Sequence, residues 1–86
     1  MEIVVVKIFK DLPHIVKTNE GKFYQISYID ELGRLRKYKE LTPTLHHGSL
    51  YYRINRERYS EYKLETLSKK YYTVIDLNKK IIKNGK

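Results

Sequence analysis

The sequence lacks cysteine altogether, which excludes a disulfide framework and a cysteine-based zinc site. It also lacks any apolar run approaching the roughly 20 residues of a membrane-spanning helix. Its opening residues, MEIVVVKIFKDLP, have neither the basic segment nor the small-residue cleavage site of a signal peptide. An HExxH motif and a phosphate-binding P-loop are both missing. We therefore expect a soluble, cytoplasmic, non-enzymatic protein that holds no metal and no cofactor.

Histidines are few, and their positions do not favour a metal site. His46 and His47 are neighbours in a segment with turn composition, whereas His14 is far away in the chain. Adjacent side chains in a turn point apart, so the pair cannot chelate one ion well without further ligands.

Acidic residues are also scarce, since 10 of them face 18 basic residues, which leaves a net charge of +8. Such an excess favours polyanionic partners. The lysines are scattered along the whole chain, as a lysine-rich composition alone would produce. All five arginines, by contrast, lie between Arg34 and Arg58. This clustering indicates a functional surface, and we expect folding to gather the guanidinium groups on one exposed face.

The chain is long enough for one small domain only. Alternating apolar residues and turn signals predict about six short strands, namely residues 2–9, 14–18, 22–30, 34–41, 50–54 and 71–77. A helix is predicted over residues 61–70, because Ser60 can cap it and Leu64, Leu67 and Tyr71 form an apolar stripe. The prediction is an α+β domain over residues 1–78, an antiparallel meander-like sheet with one helix packed on it, followed by a Lys-rich tail at 79–86.

The predicted strands divide the aromatic residues into two groups. Some tyrosines are expected to pack in the core: Tyr24, Tyr28, Tyr52, Tyr71 and Tyr72. Residues 42–49 are predicted to form a loop, and the next strand is expected to direct Leu50, Tyr52 and Ile54 inward while Tyr51 and Arg53 face solvent.

The basic and aromatic stretch from residue 33 to residue 63 is the candidate binding site. Several cations on one face can bind phosphates, and arginine adds two-pronged contacts to phosphate or guanine that lysine cannot match. A two-stranded ribbon can also enter the DNA major groove. We hypothesise that the chain binds nucleic acid, above all duplex DNA. The candidate contacts are Arg34, Arg36, Lys37, Tyr38, Tyr51, Arg53, Arg56, Arg58 and Lys63.

Other partners fit the same residues. Tyrosine and arginine are enriched at protein–protein hot spots, so an inhibitor or adaptor that docks on an acidic protein surface is the alternative. The same mixture also occurs on ordinary solvated sheet faces. Edge strands would permit a homodimer by strand pairing. The basic tail lacks the apolar moment of a membrane-binding helix, so no membrane partner is expected.

The order of several short motifs resembles a module of HNH homing endonucleases of phages and introns. The motifs are Tyr24-Gln25-Ile26-Ser27, Leu32-Gly33-Arg34-Leu35-Arg36, Leu41-Thr42-Pro43, the stretch from His47 to Ile54, Arg58-Tyr59 and Leu64. In that family, a similar pattern forms small sheet elements that hold DNA beside the nuclease. The resemblance implies a phage-like or mobile-element DNA-holding element, with Arg34, Arg36, Arg53 and Arg58 as contacts.

The chain departs from this family where the nuclease would be. The family's histidine before the helix is replaced within Glu61-Tyr62-Lys63-Leu64, and the metal-binding histidines and asparagine have no counterpart. Residues 2–9 also have no equivalent in the module. The resemblance therefore implies DNA binding without DNA cleavage.

Overall fold

The protein is an α+β structure made mainly of antiparallel sheet, and its computed structural model describes residues 1–78. These residues form eight strands and one short helix: β1 (Glu2–Phe9), β2 (Leu12–Thr18), β3 (Phe23–Ile29), β4 (Leu35–Leu41), β5 (Thr44–His46), β6 (Ser49–Ile54), β7 (Glu57–Ser60), α1 (Glu61–Leu67) and β8 (Ser68–Asp76). The predicted fold class is confirmed. The expected single sheet of about six strands is wrong, because the eight strands form two sheets.

The larger sheet contains five strands in the order β4-β3-β2-β1-β8. Strands β1 to β4 follow one another as the predicted meander, and β8 returns to pair antiparallel with β1. The smaller sheet, β5-β6-β7, is inserted between β4 and the helix. Both edges of the larger sheet, β4 and β8, are thus strands without a second neighbour among the described residues.

Each face of the larger sheet covers its own apolar cluster. The first cluster joins the larger sheet to the smaller sheet and to α1, and it consists of Phe9, Leu12, Ile15, Phe23, Leu41, Tyr52, Ile54 and Leu64. The second cluster lies on the opposite face and contains Ile3, Val5, Val16, Tyr24 and Leu77. Strand β1 contributes residues to both clusters, because its nearly continuous apolar sequence places apolar side chains on both faces of the sheet.

The larger sheet curves around the second cluster. Tyr38 of β4 and Ile75 of β8 pack against that same cluster although they belong to opposite edges. At one end, the Lys37 ammonium donates a hydrogen bond to the carbonyl oxygen of Asn78 at 3.3 Å. The two edge strands therefore approach each other there.

Four of the five hairpin turns fall into two pairs. Gly21 and Gly33 have φ of 81° and 80°. Each lies three residues after a polar residue, Thr18 or Asp30, whose side chain accepts backbone N–H bonds within the loop. The β5–β6 and β6–β7 loops are shorter, and both of their central residues have positive φ. This is the type I′ geometry whose twist matches that of paired strands.

Several predicted boundaries are wrong, and strand pairing is the reason in each case. The helix ends at Leu67 instead of residue 70, because Ser68 is extended and residues 68–70 pair with β1. The predicted loop 42–49 contains β5 and the start of β6, which the His47-Gly48 turn brings together. The second strand begins at Leu12 instead of residue 14, because Leu12 pairs with Phe9 of β1.

Three residues predicted to be buried are exposed. Leu50 pairs with Leu45 in the part of the smaller sheet that extends beyond the first cluster. Tyr71 and Tyr72 lie on the edge strand β8, where neither apolar cluster reaches them. No helix in the described part of the chain has the length and apolarity to span a bilayer. The predicted tail, residues 79–86, lies outside the described residues.

Candidate nucleic-acid interface

The β6–β7 hairpin carries three of the five arginines close to its turn. Arg53 of β6 and Arg58 of β7 are directly opposite each other in the antiparallel register, and Arg56 lies in the loop between them. Like charges placed directly opposite each other destabilise a sheet. The hairpin therefore concentrates positive charge at a cost to folding.

The local sequence explains this arrangement. Tyr52 and Ile54 are buried, and the ring centroid of Tyr52 lies 4.5 Å from that of Phe23. Alternation in the strand then turns Arg53 toward solvent. In the loop, Asn55 and Arg56 have φ of 51° and 69°. Asparagine is common at such positions, whereas arginine is not, and the strain costs about 1 kcal/mol.

The three arginines of this hairpin have no acidic partner among residues 1–78. None of the ion pairs in that range includes Arg53, Arg56 or Arg58, and all three residues are exposed. The acid between them in the chain, Glu57, accepts a hydrogen bond from the Tyr59 hydroxyl at 3.2 Å. Burial and then this carboxylate raise the pKa of Tyr59. The guanidinium groups are thus free to bind an anion from outside.

A groove of about 730 Å³ separates this hairpin from the β3–β4 hairpin. We call it the arginine groove, and its lining residues are Gln25, Ile29, Glu31, Lys39, Arg53, Asn55 and Arg56. Three cations here face one carboxylate, and two amide side chains add neutral donors and acceptors. Such a set can bind several phosphate oxygens and still hydrogen-bond to other polar groups of the same ligand.

Arg34 and Arg36 are in a different electrostatic situation. Their Nε atoms lie 2.9 and 3.2 Å from the same oxygen, Oδ2 of Asp30. The other oxygen of that carboxylate accepts the backbone N–H groups of Leu32 and Arg34, each at 2.9 Å. The backbone bond from Arg34 is the largest cause of a lowered pKa of Asp30. The five arginines therefore divide into two groups, one internally paired and one unpaired.

The remaining candidate contacts are not gathered at the arginine groove. Tyr38 packs against the second apolar cluster, with its ring 6.2 Å from that of Tyr24. Tyr51 is half-buried beside His46, and the Lys63 ammonium lies 5.0 Å from the Tyr59 ring. The Lys37 ammonium donates its hydrogen bond to the carbonyl oxygen of Asn78, two residues after the end of β8.

Sequence reasoning missed several residues that line the groove, chiefly Lys39, Gln25 and Asn55. Lys39 and Gln25 are cross-strand partners, and each is two residues from a buried member of the first cluster, Leu41 or Phe23. That spacing places them on the face that the smaller sheet covers. The alternation of β4 therefore identifies the face on which Lys39 lies, but only the position of the smaller sheet shows that this face borders a groove.

Metal-ligating side chains do not cluster in the described residues. Among residues 1–78, no three His, Asp or Glu side chains are arranged to hold a metal ion. The rings of His46 and His47 are in edge-to-face contact, with centroids 4.2 Å apart, at a turn that is otherwise exposed.

Comparison with known proteins returned no similarity on which a function could be based. No protein-family model, no curated protein and no solved structure matches the chain. The resemblance to the endonuclease module therefore stays a prediction, and the functional argument depends on the geometry of the site.

Proposed function

We propose that the protein is a small non-enzymatic nucleic-acid-binding module that docks the β6–β7 hairpin and the arginine groove on the phosphates of duplex DNA. The observation that carries this proposal is the set of three arginines at one hairpin turn that form no ion pair among residues 1–78, two of them directly opposite each other. The hairpin contains like-charge repulsion and a strained arginine. It therefore gains stability when a bound anion neutralises the three guanidinium groups.

The shape of the hairpin supports duplex DNA as the ligand. A two-stranded antiparallel ribbon fits the major groove, and its alternate side chains face the base edges. Arg53 and Arg58 occupy one such face, and Arg56 lies in the turn, where it can contact a backbone phosphate. Lys39, across the arginine groove, adds a further phosphate contact.

The test is a fluorescence-anisotropy titration of a short duplex at about 50 and about 200 mM salt. We expect affinity to fall steeply with salt in the wild type. Arg53→Gln and Arg58→Gln should each weaken binding and reduce the salt slope by about one. Lys10→Gln removes the same charge at the β1–β2 turn, and it should change affinity by less than about twofold.

A sharper variant separates binding from folding. Arg56→Gly places the Asn-Gly pair that type I′ turns prefer, so it should raise the free energy of unfolding by about 0.5 kcal/mol. It should nevertheless weaken duplex binding, because one phosphate contact is lost. Wild-type affinity that is absent at low salt, or a more stable Arg56→Gly variant with undiminished affinity, would contradict the proposal.

A second candidate function, docking on an acidic protein surface, draws on the net charge of +8 and on exposed apolar side chains that suit a protein interface. The tip of the β3–β4 hairpin exposes Ile29, Leu32 and Leu35, with 61%, 75% and 46% of their surfaces accessible. Contiguous exposed apolar residues often mark protein interfaces. A pull-down from lysate with and without nuclease treatment separates the two functions. Capture of one protein that survives nuclease and is lost in Leu32→Ser favours this alternative.

A further inference from the structure

A row of three lysines crosses the larger sheet on the side that α1 covers. Lys7 of β1 is the cross-strand partner of both Lys17 of β2 and Lys70 of β8. Directly opposite like charges are unfavourable in a sheet. One carboxylate, Glu65 of α1, bonds to Lys7, and that bond lowers the pKa of Glu65, with Lys17 adding to the effect. Glu65 is the acid that bonds to this row, and no ion pair among residues 1–78 includes Lys17 or Lys70.

Beside this row, a β-bulge exposes two aromatic rings. Val5 pairs with Thr73 and Lys7 pairs with Lys70, so β8 has two residues, Tyr71 and Tyr72, where β1 has only Val6. Bulges of this kind redirect side chains and occur often at edges and binding sites. The accessible fractions of Tyr71 and Tyr72 are 53% and 75%.

The two tyrosines and two lysines of the row, Lys7 and Lys70, share one open groove of about 370 Å³, which we call the tyrosine groove. It is lined by Val6, Lys7, Lys70, Tyr71 and Tyr72. Its surface is chiefly apolar, but ammonium groups border it. A ligand that matches this lining offers flat apolar surfaces to the tyrosine rings and negative charges to the lysines.

We infer that the tyrosine groove binds single-stranded nucleic acid. Unpaired bases stack on exposed tyrosine rings, and the lysine row binds the adjoining phosphates. Duplex DNA does not fit this role, because its bases are already stacked on one another. The inference shares only the class of ligand with the proposed function, since the arginine groove is built from other strands.

The experiment measures binding of three probes by anisotropy: oligothymidylate, the same backbone with abasic sites, and a duplex. We expect the double variant Tyr71→Ser/Tyr72→Ser to bind oligothymidylate about tenfold or more weakly. Its affinity for the abasic strand and the duplex should stay within about twofold of wild type. Tyr71→Phe/Tyr72→Phe should retain oligothymidylate binding, because the rings are kept. Tyr62→Ser, which removes an exposed tyrosine from α1, is the matched control and should bind as wild type does.

A second measurement uses the wild-type chain and does not depend on the folding of variants. Photocrosslinking to a strand that contains bromodeoxyuridine should label the segment of Tyr71 and Tyr72. Labels confined to the β6–β7 hairpin, or a serine variant with undiminished affinity for oligothymidylate, overturn the inference.

The two proposals fail in different ways. If Arg58→Gln still weakens duplex binding while the tyrosine variants change nothing, the proposed function survives and the tyrosine groove is excluded. If the tyrosine variants weaken strand binding while the arginine variants leave duplex binding intact, the tyrosine groove survives and the proposed function is excluded. A wild-type chain that binds neither probe at low salt overturns both.

Discussion

Asp30 shows how one side chain can both close a turn and form ion pairs with two arginines. Its Oδ1 accepts the N–H groups of Leu32 and Arg34, and its Oδ2 lies within salt-bridge distance of Arg34 and Arg36. Gly33, with φ of 80°, provides the left-handed residue that lets the chain return within the reach of one carboxylate. The same loop design recurs after Thr18, whose hydroxyl has no charge and binds no cation.

The lowered pKa of Asp30 predicts how its contribution to stability depends on pH. The folded-state pKa lies below the usual 3.8, so the unfolded chain takes up the proton first as pH falls. The contribution is therefore fully present above about pH 5 and is lost progressively as acid titrates through the folded pKa. Asp30→Asn should be less stable than wild type at pH 7 and should converge with it in strong acid.

Thermal melts of both proteins from neutral to acid pH measure this difference. Glu31→Gln, at the neighbouring carboxylate that forms no ion pair among residues 1–78, is the control and should parallel wild type. A constant gap between wild type and Asp30→Asn at every pH would mean that the loop bonds do not depend on the charge.

At the scale of elements, α1 holds the smaller sheet against the larger one. The helix begins at Glu61 because the Ser60 hydroxyl accepts the N–H of Lys63 at 3.1 Å. It buries Leu64, which is 1% exposed, among residues of both sheets. The backbone N–H of Lys10 also bonds to the carbonyl of Leu67 at 2.9 Å. The arginine groove is thus positioned by a short helix with a single fully buried side chain.

Leu64→Ala should lower the free energy of unfolding by about 2–4 kcal/mol, because it removes buried methyl groups and leaves a cavity at the junction of the two sheets. Urea denaturation measures the loss. Tyr62→Ala alters the exposed face of the same helix and should cost less than about 0.5 kcal/mol. Equal effects of the two substitutions would show that α1 contributes through helix propensity and not through packing.

The parts of the fold that alternation defines could be predicted from the sequence, and the parts that depend on long-range pairing could not. The β1 and β3 segments and the Ser60 cap follow from local patterns. Residues 68–70 have a helical context, yet β1 recruits them as a strand because pairing satisfies their backbone groups. The same pairing exposes Tyr71 and Tyr72, which no local rule distinguishes from core tyrosines.

The candidate site was predictable to a similar extent. The clustering of arginines identified the hairpin of Arg53, Arg56 and Arg58, but it could not reveal that Asp30 pairs with the other two. Nor could it show that Lys39 lies across the groove, because that depends on where the smaller sheet packs. The sequence shows which charged residues the chain contains, whereas the folded structure decides which of them form ion pairs.

At the scale of the whole molecule, the two proposed binding grooves lie on different strands and together fit a ligand that has a duplex part and an unpaired part. The longest dimension of the molecule is 46 Å, about the length of 14 base pairs. One nucleic acid can therefore reach both grooves if a duplex part continues into an unpaired strand. Linked contacts reinforce each other because the second binding event becomes intramolecular.

A duplex of about 14 base pairs with a single-stranded overhang should bind at least about tenfold more tightly than either the blunt duplex or the free strand. Titrations of the three ligands at one salt concentration measure the gain. Tyr71→Ser/Tyr72→Ser should reduce the affinity for the joined ligand to that for the blunt duplex, whereas Arg53→Gln/Arg58→Gln should reduce it to that for the strand. If the joined ligand binds only as well as its better part at every overhang length, the two grooves do not act on one molecule.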